Sequence, residues 1–221
     1  MRKILIAALL LSVLLVSSCT RSSRSLLVPV YFYQGHSVGK ESSSTGLHVS
    51  SISKARFRAQ TWPEIISSSV AVDSTGAQLY LACGNGVLIS RDAGANWVLT
   101  GGSGMAEVQK VQIDRRDPDR AWAASAFGLW ETRDGGTAWT RLKHTSLFRF
   151  CADVRQDAVD PDTLWVAGDR GVFVSRDAGK NFAAALINTD VRRVVSLPAR
   201  LLLCTDGGGL LESKDDGRTF S

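Results

Sequence analysis

From Ser69 to Ser221 the chain alternates between short apolar runs and clusters of Gly, Asp, Pro and Ser. The runs "LYLAC", "AWAAS", "LWVAG" and "LLCTD" each lead into a glycine-bearing turn, and the turns lead into "VLIS", "LWET", "VFVS" and "LLES". Ahead of each pair stands another run, "SVAVD", "VQKVQID", "DVRQDAV" or "VRRVVSL". Behind the first three pairs "WVLT", "WTRL" and "FAAAL" supply a fourth. Short runs rich in branched and aromatic residues, bounded by turn formers, predict β-strands. No segment between them carries apolar residues at the helical period. The pattern predicts an all-β chain built from four-stranded antiparallel meanders.

The meanders share a frame. Aligned on Asp92, Asp134, Asp177 and Asp215, they step by 42, 43 and 38 residues. A period near 40 is that of a four-stranded β-propeller blade, and it predicts four blades at about 69–100, 106–142, 150–186 and 190–221. Twelve positions before the aspartate stand Tyr80, Trp122, Trp165 and Leu203, all large; ten before it stand Ala82, Ala124, Ala167 and Thr205, all small. Positions two apart share one face of a strand. Large beside small predicts neighbouring blades that interlock, with the aromatic column as core rather than a cofactor platform.

The aspartates lie in "SRDAGANW", "TRDGGTAW", "SRDAGKNF" and "SKDDGRTF". Four such copies in register, covering residues 69 to 221, resemble the Asp-box or BNR repeat of sialidases, some endoglucanases, sortilin-like receptors and photosystem II assembly factors. The residues that carry the resemblance are Asp92, Gly94 and Trp97; Asp134, Gly136 and Trp139; Asp177, Gly179 and Phe182; Asp215, Gly217 and Phe220. Asn96, Ala138 and Asn181 depart from the usual Thr, and Phe182 and Phe220 from the usual Trp. The resemblance implies a propeller in which the box is the turn between strands three and four, at the blade periphery and away from the active face. Turn chemistry points the same way: Asp accepts backbone N–H bonds and Gly supplies a positive φ. An acid needed once in every blade belongs to the frame, since catalysis wants one constellation rather than four copies.

Charge changes the picture at the N-terminus. Residues 69–221 carry 18 basic and 19 acidic residues, so the net +5 comes from Arg2, Lys3 and a segment, 19–68, with six basic residues against two acidic. With no basic stripe in the repeats, a nucleic-acid partner is not indicated. "MRKILIAALLLSVLLVSSC" opens with two cations and a 13-residue apolar run, Ile4 to Val16. That is short of the ~20 residues a spanning helix needs and predicts a signal peptide over 1–18. Val16-Ser17-Ser18-Cys19 resembles a bacterial lipobox, which implies export, cleavage before Cys19, and lipid on Cys19 anchoring the chain at an envelope membrane, at the outer membrane or the periplasmic face; an ordinary signal peptide with an incidental Cys is the alternative. Residues 19–68 then read as a lipidated tether, with "GKESSSTG" (39–46) as a soft linker and "ARFRAQTW" (55–62) as the outer strand of a closing blade. Pro29 keeps "LLVPVYFY" from being a central strand. Cys83, Cys151 and Cys204 read as small buried side chains with room for one disulfide.

Little in the sequence points to reaction chemistry. No cofactor-binding loop, zinc spacing or Ser/His arrangement is found, so neither cofactor nor metal is expected. The sialidase resemblance would call for a Tyr–Glu pair, yet Tyr31 and Tyr33 precede the repeats and Tyr80 sits in the core column. An endoglucanase-like mechanism would need two opposed acids ~6.5–9.5 Å apart, for which Asp153, Asp157 and Asp190 are the candidates. The loops joining strands four to one and two to three share one propeller face, the expected binding face. Arg155 and Arg193 both stand 22 residues before their boxed aspartates, at what the spacing makes equivalent places on inner strands. The resemblance to photosystem assembly factors implies that arginines there contact a partner protein. The chain stops at "RTFS", inside a fourth strand, which predicts an incomplete ring: a piece of a longer propeller, or else an unusual four- to five-bladed ring, or one completed by self-association. The leading reading is a lipid-anchored, non-catalytic binding or assembly platform with a protein or glycan partner on one face. The alternative is a piece of a glycan-active hydrolase.

Overall fold

The structure is a computed structural model that describes residues 30–32, 47–51, 54–59, 65, 67–102, 104–143 and 150–221. The expected signal segment (1–18), Cys19 and the expected linker at 39–46 lie outside the described residues. Every regular element described is a strand, and every pairing is antiparallel. β1 (Val30–Phe32), β2 (His48–Ser51) and β3 (Lys54–Ala59) form a three-stranded sheet. Blade one is β4 (Ser67–Val72), β5 (Leu79–Cys83), β6 (Gly86–Ser90) and β7 (Val98–Thr100). Blade two is β8 (Val108–Ile113), β9 (Ala121–Ser125), β10 (Gly128–Thr132) and β11 (Thr140–Arg141). Blade three is β12 (Cys151–Gln156), β13 (Leu164–Gly168), β14 (Gly171–Ser175) and β15 (Ala183–Ile187). Blade four is β16 (Val191–Leu197), β17 (Arg200–Thr205) and β18 (Gly209–Ser213), and the Ser221 and Glu212 backbones exchange both hydrogen bonds as the start of a fourth strand.

The blades stack face to face, with successive first strands β4, β8, β12 and β16 packed side by side. Tyr80 and Ala82 meet Ala121, Ala123 and Val111; Trp122 and Ala124 meet Leu164, Val166 and Val154; Trp165 and Ala167 meet Leu201, Leu203 and Val194. Each large side chain lies under the box of the next blade. A Cβ on Gly136, at φ 82°, would fall 3.2 Å from Tyr80 and 1.9 Å from Ile89, and one on Gly217 would fall 2.6 Å from the Trp165 ring. A buried indole withdraws roughly 150–250 Å² from water, so the aromatic column supplies much of the stacking energy. The box aromatics complete these layers: Trp139, Phe182 and Phe220 each pack into the interface with the preceding blade.

Three expectations need correction. First, the counting that put Leu203 in the aromatic column fails in blade four. The turn between β17 and β18 holds three residues, against two between β13 and β14, so Leu202 takes the column place while Leu203 faces blade three and is fully buried. Second, "DVRQDAV" is strand only to Gln156, because the Asp157 carboxylate accepts the N–H groups of Val159 and Asp160, both at 3.0 Å, and turns the chain. Third, Cys204 is exposed, and the three repeat cysteines are free. Cys204 lies on the face of blade four that no further blade covers. There Leu210 is 62% exposed, whereas Val87, Leu129 and Val172, its equivalents, are fully buried. At the other end Leu47 packs on Leu79, Leu81 and Leu88 of blade one. The segment 54–59 pairs with β2, and no strand of blade four lies beside it among the described residues. Such local pairing closes only a short loop, at small entropic cost. The four blades form an arc, and the ring is not closed.

Candidate functional site

The four boxes are one turn built four times. In each, the hydroxyl two residues before the aspartate donates to its Oδ1 at 2.8 Å (Ser90, Thr132, Ser175 and Ser213) and accepts the box Gly N–H at 2.7–2.9 Å. Oδ1 also accepts the N–H of the residue four further on, at 2.8–2.9 Å. Asn96, Asn181 and Thr219 add a side-chain bond to Oδ2, at 2.6, 2.7 and 2.6 Å. Ala138 has no side chain to do so. The bonds to residues 96 and 181, backbone first and side chain second, hold Asp92 and Asp177 at a pKa of about 2; at Asp215 the Thr219 side chain is the larger cause. Asp134 is lowered as well, chiefly by the Ala138 N–H.

The boxes and the loops occupy opposite ends of the blades. Box N–H groups of Ala93, Gly135 and Ala178 bond the carbonyls of Ala77, Asp119 and Asp162 in the turns between strands one and two. The loops between blades instead meet the turns between strands two and three: Glu107 N–H bonds Gly84 O, Asn188 N–H bonds Arg170 O, and Asp206 N–H bonds Asp190 O.

Near that second end lies a set of equivalent residues that differ in chemistry. Each first strand carries a β-bulge, and the residue after it pairs with Ala82, Ala124, Ala167 or Cys204. These residues are Ser69, Lys110, Asp153 and Arg193. Ser69 Oγ accepts the Val111 N–H at 3.0 Å, and Asp153 Oδ2 accepts the Val194 N–H at 2.9 Å, each tying its blade to the next. Arg193 Nη1 donates to Ala152 O at 3.2 Å and Arg192 O at 3.0 Å. Arg155 Nε lies 3.7 Å from Asp153 Oδ1, an ion-pair distance at which neither atom has a hydrogen-bond partner. Burial first, then the charges of Arg155 and Arg193, lower the Lys110 pKa to about 8, with Asp153 acting in the opposite direction.

Equal spacing from the boxes placed Arg155 and Arg193 in one register, and the ladders do not. Arg155 lies opposite Trp165 and Arg193 opposite Cys204, two positions apart. Between the equivalent pairs Gln156↔Leu164 and Ser196↔Leu201 the chain is three residues shorter in blade four, and the next turn is one residue longer. Both guanidinium groups nevertheless act on Lys110. Lys110 escaped the sequence reading; its only signal was a cation inside the run "VQKVQI".

The candidate acids have separate partners. Asp153 is fully buried. Asp157 lies further along the same strand direction, at the opposite turn, where its Oδ2 accepts from Ser196 Oγ at 2.7 Å and Trp165 Nε1 at 3.0 Å. Burial would raise its pKa, but these bonds and its two turn N–H bonds hold it below the usual carboxylate range. Asp190 pairs with Arg192 at 2.9 Å.

No protein-family model matches the chain, and no curated protein matches it. Solved structures do resemble it. A GH74 xyloglucanase from Xanthomonas campestris is 17% identical, with a TM-score of 0.62 over 81% of this chain. An ancestral GH74 enzyme is 19% identical, with a TM-score of 0.59 over 70%. YCF48 from Cyanidioschyzon merolae is 16% identical, with a TM-score of 0.57 over 77%. At these identities the likeness shows the fold alone. The chain spans 34% of the Xanthomonas xyloglucanase, 23% of the ancestral GH74 enzyme and 63% of YCF48. With the four radial sheets, it makes this chain a β-propeller in an open arc.

Proposed function

We propose that the chain is a binding or assembly platform rather than an enzyme, that its repeats are Asp-boxes, and that Cys19 carries a lipid anchoring it at a cell-envelope membrane. The observation that carries the platform reading is the charge of the inner strands. β8, β12 and β16 bear Lys110, Arg155 and Arg193 against a single carboxylate, Asp153, which is fully buried and accepts the Val194 N–H; the fourth cation of these strands, Arg192, is paired with Asp190 and Asp206. Glycoside hydrolysis needs two carboxylates on either side of a bond; a cationic wall instead attracts an acidic segment of a partner protein.

A photo-cross-linker at Gln112, on the same strand as Lys110, is expected to give a discrete protein adduct in intact cells, lost when Lys110 and Arg193 are both changed to Glu. The second reading, a piece of a glycan-active hydrolase, is favoured by the fold shared with the xyloglucanase. Release of oligosaccharide from xyloglucan by the purified chain, abolished by Asp153→Asn, together with no adduct, would replace the platform by that reading. For the anchor, Cys19→Ala is expected to move the chain out of the membrane fraction; unchanged fractionation with an unmodified Cys19 in the wild type would remove the lipid from the proposal.

A further inference from the structure

The three blade junctions solve one problem in two ways. Val111, Val154 and Val194 are equivalent residues, pairing with Ala123, Val166 and Leu203, and each is buried. In this register the amide points away from the second strand, toward the preceding blade. Between blades one and two it finds Ser69 Oγ; between three and four it finds Asp153 Oδ2. Between blades two and three the equivalent residue is Lys110, whose ammonium carries three donors and no acceptor. A buried N–H facing a donor is costly unless an acceptor arrives from elsewhere. The surroundings hold two further cations and one carboxylate, Asp153, whose Oδ2 is taken by the Val194 N–H and whose Oδ1 lies 3.7 Å from Arg155 Nε. Arg155 Nε is buried and has no hydrogen-bond partner, and the Arg193 charge reaches Lys110.

We propose that the junction of blades two and three binds one oxyanion, a carboxylate or a phosphate, whose oxygen takes the acceptor place that Ser69 and Asp153 fill elsewhere. The Val154 N–H and the Lys110 ammonium donate to it, with Arg155 as the third donor and Arg193 adding charge. This site rests on the platform reading, in that the acidic side chain of a bound partner is one source of the oxyanion; free phosphate is the other.

The test follows the Val154 amide by NMR in the full isotope-labelled chain in detergent. Inorganic phosphate is added in one arm and a glutamate-rich peptide in the other. In the wild type the amide signal is expected to shift and saturate. Lys110→Gln should lose the saturation. Lys110→Ser should recreate the Ser69 arrangement: hydrogen exchange at Val154 slows without added anion and the response to anions disappears. An unchanged melting temperature in Lys110→Ser shows that the fold is retained. Saturation by the peptide alone assigns the site to a partner's acidic side chain, and saturation by phosphate alone to the free ion. No response to either in the wild type overturns the site. If the Gln112 adduct still forms in that case, the platform reading stands; if Val154 responds and no adduct forms, the platform reading falls and the oxyanion site stands.

Discussion

The box aspartates and the residues after the four bulges are both sets of four equivalent positions, one at each end of the blades. The boxes repeat residue type and bonding together: the same hydroxyl, glycine N–H and carboxylate contacts occur in every copy. The bulge positions repeat geometry without residue type, placing a hydroxyl, an ammonium, a carboxylate and a guanidinium in turn at Ser69, Lys110, Asp153 and Arg193. Where geometry and chemistry recur together, the residue is satisfying its own blade. Where geometry recurs and chemistry does not, the side chain serves the junction with the neighbouring blade: Ser69 and Asp153 accept the next blade's amide, and Arg193 donates back to the Ala152 carbonyl.

The contrast breaks most severely if the frame goes. Trp122→Ala empties a fully buried place between blades two and three and is expected to cost about 3–5 kcal/mol in urea unfolding. At the bulge positions the contrast predicts unequal results. Asp153→Ala leaves the buried Val194 N–H without its acceptor, an expected loss of about 1–3 kcal/mol, while Asp153→Asn keeps an acceptor oxygen and loses less.

In the boxes, Asp177→Ala should lower the melting temperature more than Asp134→Ala, because only Asp177 also holds a side-chain amide, from Asn181. The same carboxylates set an acid limit. Their folded pKa of about 2 at Asp92, Asp177 and Asp215 lies below the unfolded value near 3.9, so their contribution is complete above about pH 4 and is lost as the pH falls toward 2. Equal melting temperatures at pH 5 and pH 2 would show that the boxes do not set it.

Lys110→Gln with Arg193→Gln should remove the Gln112 adduct at a smaller cost in stability than Asp153→Ala, losing the Arg193 bonds to Ala152 O and Arg192 O; a larger loss would place these cations in the frame. The smallest effect is a gain. Ala138→Asn restores the bond that Asn96 and Asn181 make, and should raise the melting temperature slightly.

The strands, the period and the blade count were legible in the sequence because each depends on residues close in the chain: alternation, turn formers and a repeated aspartate. The pairing of a large residue with a small one two positions on was legible for the same reason, and it held for Tyr80, Trp122 and Trp165. It failed at Leu203, where one extra residue in a turn shifted the register. Fixed counting from an anchor survives only while every intervening turn keeps its length, and the Arg155–Arg193 register failed by the same mechanism.

What the tertiary structure alone decided is the meeting of Lys110, Asp153, Arg155 and Arg193. They come from three blades, and their nearness depends on a bulge in each first strand and on the sideways packing of β8, β12 and β16. Neither leaves a mark in local sequence: a bulge is one residue of slip between two strands, and blade packing is fixed by faces whose partners lie about forty residues away.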